Sequence, residues 1–209
     1  NLAVIRTWGS REGVTKYGVD FQPSSGVYNE TTFVNFDKLI KEVSDRDLKL
    51  IISLVNNWDT FGGMCQYVKW CNVANASLCD AEAPYPFSTP TKVHDMFYTN
   101  ECTKNLYKNY VAHFLNRKNT LTGVKYKDDP TIFAWELANE PRVRTDPTCN
   151  ILNNWIGEMS AYIKSIDSNH IVTTGSDGGY KNKTSNPPWS WWYHCNEGHD
   201  YIPNHLWAD

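Results

Sequence analysis

With 209 residues, 41% of them hydrophobic and 21% charged, the chain has ordinary globular composition and enough material for a sizeable core. A net charge of -3 argues against nucleic acid or an anionic membrane as partner. No apolar run approaches the ~20 residues that a membrane span needs.

In chain order, Leu2 to Thr7 reads as a strand, and Phe33, Phe36, Leu39, Ile40 and Val43 then recur at helical spacing. Leu48 to Val55 is a second strand-like run. From about Asn56 to Met96 the chain reads as a long irregular insertion rich in Gly, Cys, Asn and Pro. Tyr107, Tyr110, Val111 and Phe114 mark the next helix. Thr131 to Leu137 reads as the third strand, and five of its seven residues are apolar or aromatic, which suits burial on both faces of a parallel sheet. Leu152, Trp155, Ile156, Met159, Ile163 and Ile166 outline a strongly amphipathic helix. Ile171 to Thr174 is a short fourth strand. The remainder is loop-like, with an aromatic cluster from Trp189 to Tyr193.

Strand–helix alternation of this kind predicts an α/β fold with a parallel sheet and right-handed crossovers. A doubly wound sheet and a (β/α)8 barrel both fit. No Gly-x-Gly-x-x-Gly follows the first strand, which weakens a nucleotide-binding reading. Four strand–helix units make about half of a barrel, which usually takes ~250 residues. With no initiator Met and no signal peptide, the chain reads as an internal piece of a longer one, forming a single domain over residues 1–209.

Six Cys and three sequons, at Asn29, Asn75 and Asn182, predict a secreted, extracellular glycoprotein. Six Cys allow fifteen pairings. Cys65, Cys71, Cys79 and Cys102 are close enough in sequence for local bridges, which would leave Cys149 and Cys195 for each other. His194, His199, Asp200 and His205 fit no ligand spacing, so no metal site is expected.

The third strand runs into Ala138-Asn139-Glu140-Pro141-Arg142. Pro141 should end it and push Glu140 to an extended backbone, projecting from the C-terminal end of the strand, where α/β barrels carry chemistry. Glu136 should sit deeper, as a buried structural carboxylate with a cationic or hydrogen-bonding partner. Asn56, Asn57 and Trp58 end the second strand and face the same way, either shaping a distal subsite or ordering the loop.

Three strings, Val4-Ile5-Arg6-Thr7-Trp8, Leu54-Val55-Asn56-Asn57-Trp58 with Gly62-Gly63, and Tyr126-Lys127-Asp128-Asp129-Pro130 running into Thr131 to Arg142, resemble the endo-β-1,4-mannanases of glycoside hydrolase family 5, especially the plant-like branch. Ser160 to Asp167 is similar to the same group. The likeness is clear to about Thr174 and divergent over 175–209. It implies strands two to five of a (β/α)8 barrel, with the first and last strands outside the chain. It implies hydrolysis of internal β-1,4-mannosidic bonds in mannan, glucomannan or galactomannan, by a retaining mechanism that needs two carboxyl groups and no cofactor. Glu140 then matches the acid/base, and Asn139 the neighbour that bonds the sugar 2-hydroxyl. Arg6 matches an arginine supporting the nucleophile, although it could instead pair with Glu136. Trp8 matches a substrate-contacting aromatic ring. The nucleophile itself belongs to a later strand. Two rivals are an endo-β-1,4-glucanase of the same clan and a non-catalytic glycoprotein that binds sugar or builds extracellular matrix. Half a barrel exposes two sheet edges and an inner face, so further residues or a partner chain should be needed to complete it.

Overall fold

The computed structural model describes residues 3–14, 18–81, 89–146 and 148–176. Four parallel strands, β1 (Val4–Trp8), β2 (Lys49–Ser53), β3 (Ile132–Glu136) and β4 (Ile171–Thr173), pair in chain order. Helices α1 (Glu30–Ser44), α2 (Gly63–Trp70), α3 (Thr89–Thr99), α4 (Glu101–Asn116) and α5 (Asn150–Ile166) form the connections. The strand and helix readings of the sequence hold to within a few residues.

The register pairs Trp8 with Ser53, Arg6 with Ile51, Ile51 with Ala134 and Ser53 with Glu136. Paired residues share a face, so these side chains line one side of the sheet. Leu50, Ile52, Trp135 and Val172 line the other side and are buried in the core under the helices. Trp135, for example, packs edge-on against Phe114 of α4, with 6.1 Å between their ring centroids. The first face is partly open, and both Val4 and Arg6 are exposed. Between Leu50 and Ile51 the partner jumps from Ile132 to Ala134. This bulge leaves Phe133 unpaired and 45% exposed.

The insertion after β2 is not irregular, contrary to its sequence reading. It contains α2 and α3, which bury Met64, Tyr67 and Val68 and then Val93, Phe97 and Tyr98. Tyr67 meets Phe97 at 5.6 Å, and Phe97 meets Trp155 of α5 at 5.7 Å. Gly62, Gly63 and Cys65 break the apolar period at the start of α2, and α3 offers only a short one, Val93, Met96 and Phe97. Two disulfides, Cys65–Cys79 and Cys71–Cys102, tie the insertion to itself and to α4. Cys149 is also disulfide-bonded. Cys195, Asn182, His194, His199, Asp200, His205 and the Trp189 to Tyr193 cluster lie outside the described residues.

Two polar clusters fasten the outer layer. Asp37 of α1 is fully buried and accepts from Arg117 Nε at 3.0 Å and Nη2 at 2.7 Å, from Thr120 N at 3.1 Å and Oγ1 at 2.8 Å, and from the Tyr126 hydroxyl. Burial pushes the Asp37 carboxyl up, but these donors outweigh it and hold it below the ordinary aspartate value. Near the start of β4, Asp167 accepts from Trp135 Nε1 at 2.6 Å and lies 2.6 Å from His170 Nδ1. Burial pulls the His170 imidazole down, but the Asp167 hydrogen bond and charge outweigh it, so its pKa ends up raised.

Candidate active site

Beyond β3 the chain stays registered with its neighbours for four more residues. Leu137 N–H donates to Thr173 O at 2.8 Å, and the Leu137 carbonyl accepts from Tyr107 Oη at 2.7 Å. Asn139 forms a parallel bridge with Asn56: its N–H donates to Val55 O at 2.7 Å, and its carbonyl accepts from Asn57 N at 3.0 Å. Glu140 then turns into a left-handed conformation, φ 51°, and donates its N–H to Gly175 O at 2.9 Å. The extended backbone expected before Pro141 is therefore not adopted. Disfavouring the right-handed helical region, as Pro141 does, leaves the left-handed region open, and the bond to Gly175 holds Glu140 there.

A row of hydrogen bonds crosses the three strand ends. Arg6 grips Glu136 with two nitrogens, Nε to Oε2 at 2.9 Å and Nη2 to Oε1 at 2.6 Å. The same Nη2 reaches Asn139 Oδ1 at 2.6 Å. Asn139 Nδ2 donates to Asn56 Oδ1 at 2.9 Å, and Asn56 Nδ2 donates to the Trp58 carbonyl at 3.0 Å. Trp58 Nε1 donates to Glu140 Oε2 at 2.8 Å. Arg142 Nη2 approaches the same oxygen at 3.3 Å, and its guanidinium lies 4.7 Å from the Trp58 ring centre. Glu140 Oε1 makes no hydrogen bond among the described residues, and the side chain is 33% exposed. The carboxyl is thus held by one oxygen and presents the other.

Glu136 is buried and paired with a cation, as its depth in the strand predicts. Its hydrogen bonds hold the Arg6 guanidinium charged, above its ordinary pKa; partial burial opposes this, and the Glu140 charge adds a smaller pull. Arg6 therefore pairs with the structural acid and also orients Asn139. Trp8 is half-buried on the same face, edge-on to Phe61 at 5.3 Å. Trp58 contacts Glu140 directly through its indole N–H. Asn57 is buried and contributes its backbone N–H, while the side-chain link to Asn139 comes from Asn56. Arg142 had no role in the sequence reading. No local period marks it, because the left-handed turn at Glu140 breaks the alternation of the strand.

Gly175 closes the site from β4. Its φ is 77°, and a Cβ there would stand 1.8 Å from Ala138 O and 2.5 Å from Glu136 Cγ. Only a residue without a side chain allows this approach.

Parallel strands with helices on one face, and a carboxylate presented where the strands end, define part of a (β/α)8 barrel of the kind that carries its chemistry at the C-terminal rim. The chain belongs to glycoside hydrolase family 5: the model described as GH family 5 beta-mannosidase-like matches residues 4–209. Mannan endo-1,4-beta-mannosidase 5 of Solanum lycopersicum is 40% identical over 98% of this chain and 45% of its own length. Mannan endo-1,4-beta-mannosidase 4 of Oryza sativa subsp. japonica is 41% identical over 98% of this chain and 41% of its own length. Among solved structures, the endo-beta-1,4-mannanase from Thermotoga petrophila superposes with a TM-score of 0.75 at 37% identity, over 93% of this chain and 42% of that one. The chain thus spans less than half the length of these relatives.

Proposed function

We propose that the whole protein hydrolyses internal β-1,4-mannosidic bonds in mannan, glucomannan or galactomannan, with Glu140 as the acid/base of a retaining double displacement. The observation that carries this reading is the carboxyl of Glu140, fixed through one oxygen by Trp58 and Arg142 and open at the other, in a chain similar along most of its length to relatives named as mannan endo-1,4-beta-mannosidases. The open oxygen protonates the leaving glycosidic oxygen and then takes a proton from water. Asn139, fixed by Arg6 and Asn56, keeps its second amide N–H for the sugar 2-hydroxyl. Trp8 offers a ring face to the sugar. The attacking carboxylate comes from a part of the protein beyond this chain, which supplies one partial catalytic domain. Further strands complete the barrel, and the mechanism requires no metal or organic cofactor.

The disulfides favour a secreted location, with glycans on Asn29, Asn75 and Asn182. Asn75 lies exposed on a turn. Asn29 caps α1, and its Oδ1 accepts from Thr31 and Thr32, which leaves the nitrogen for the sugar.

The test is to assay the complete protein on galactomannan and on soluble cellulose, following the anomer released. Galactomannan cleavage with retained configuration is the expected result. Faster cleavage of cellulose would make it a glucanase, and binding without cleavage would make it a sugar-binding glycoprotein.

A further inference from the structure

The loop that carries Arg142 has no strand partner among the described residues. Its backbone donors are taken instead by α3, the helix hidden in the insertion. Tyr98 Oη accepts the Arg142 N–H at 2.9 Å. Asp95 Oδ2 accepts the Arg144 N–H at 2.9 Å and the Thr145 N–H at 2.8 Å. Both side chains are buried, each 3% exposed. The Arg142 N–H is buried and the other two donors are partly buried; a buried N–H that loses its acceptor costs about 1–3 kcal/mol, so these contacts hold the path of the loop. The clamp is itself braced. The other Asp95 oxygen lies 3.1 Å from His94 Nδ1, and the Tyr98 ring stands edge-on to Trp155 at 5.3 Å. The Cys71–Cys102 disulfide joins the preceding helix to α4.

We propose that Asp95 and Tyr98 are positioning residues for the acid/base. By fixing the backbone from Arg142 to Thr145, they set the Arg142 guanidinium against Trp58 and Glu140, and so fix the direction in which the Glu140 carboxyl is presented. The insertion would then be part of the catalytic apparatus rather than decoration on the barrel. This inference rests on the reading of Glu140 as acid/base. A displacement of about 1 Å at a reacting group can cost on the order of 100-fold in rate.

The experiment uses the complete protein and four variants: Tyr98→Phe, Asp95→Ala, Asp95→Asn, and Tyr126→Phe as a control. Tyr126→Phe deletes a buried hydroxyl hydrogen bond to Asp37 before β3, at the end of the strand opposite Glu140. Tyr98→Phe and Asp95→Ala should lower kcat on mannan by roughly tenfold or more while KM stays within about twofold. Asp95→Asn keeps an acceptor oxygen of the same shape and should remain within about threefold of wild type. Tyr126→Phe should lower Tm and leave kcat unchanged. Amide hydrogen exchange over residues 142–145 should accelerate in Tyr98→Phe and Asp95→Ala alone. Wild-type kcat in those two variants overturns the proposal, whether or not the exchange changes. A wild-type protein with no hydrolase activity defeats the acid/base reading instead; unchanged exchange in the variants would then refute the clamp on its own.

Discussion

Asp37 and Glu140 are both carboxylates held by an arginine, in clusters built to opposite ends. Asp37 is fully buried, and every donor around it is committed: Arg117, Thr120 and Tyr126 share its two oxygens, and Arg117 also pairs with Glu30. Glu140 is one-third exposed, and both its contacts fall on one oxygen. The first arrangement joins α1 to the segment before β3 and has no capacity left for a ligand. The second leaves a lone pair and a proton site facing outward. On the proposed reading, the saturated cluster is structural and the under-saturated one catalytic.

The contrast is sharpest in the rate. Glu140→Gln in the complete protein should lower kcat on mannan by about 10²–10⁴-fold while mannan binding survives, as a titration with the inactive protein would show. Full activity would remove Glu140 from the mechanism. Asp37→Ala should do the reverse. It removes the buried partner of Arg117, which keeps only the exposed Glu30, and leaves the Thr120 and Tyr126 donors without their acceptor, at a cost of about 3 kcal/mol or more, read from urea unfolding, with normal kcat in the protein that remains folded. A catalytic defect at full stability would dissolve the distinction drawn between the two clusters.

Acid tests the same point more gently. Burial raises both the Asp37 and Asp167 carboxyls, but the hydrogen bonds on them outweigh it and both pKa values end up lowered. A carboxyl depressed by folding contributes stability above its unfolded pKa and loses it as pH falls through the folded value. His170, raised by Asp167, contributes below the ordinary histidine value and loses its share as pH climbs past its own shifted one. Tm should therefore decline on the acid side of the ordinary aspartate range, and Asp37→Asn should flatten that decline. An unchanged acid limb would mean that Asp37 is not a linked group. The smallest effect is expected from Trp58→Phe, which removes one donor from Glu140 Oε2 but keeps Arg142 in place. Its kcat should fall by about three- to tenfold, in line with the ~1 kcal/mol of one hydrogen bond.

The strands and major helices were legible because their apolar periods are long and their flanks polar. Leu48 to Val55 and the helix from Leu152 to Ile166 needed nothing else. Helices α2 and α3 were not legible. Their buried faces are short, that of α2 starting at Gly63 and Cys65, and it is packing of α2 against Tyr107 and of α3 against Tyr107 and Trp155 that makes them helical. At the site, Glu140 could be singled out from its strand end, and Asn139 and Arg6 from the family resemblance. Arg142 and the Asp95–Tyr98 clamp could not. Their roles depend on a left-handed backbone at Glu140 and on contacts between residues 44 to 50 positions apart in sequence, and no local period records either.

Gly175 imposes a further condition on how such a chain can vary. The carbonyl that receives the Glu140 N–H belongs to a residue already closer to its neighbours than any methyl group would allow. Loops at this rim can lengthen without moving the strand ends. Adding one carbon atom at 175 would instead drive β4 away from β3 and release the backbone of Glu140. In a saturation library, surviving substitutions should thus crowd into the loops and leave this one position bare.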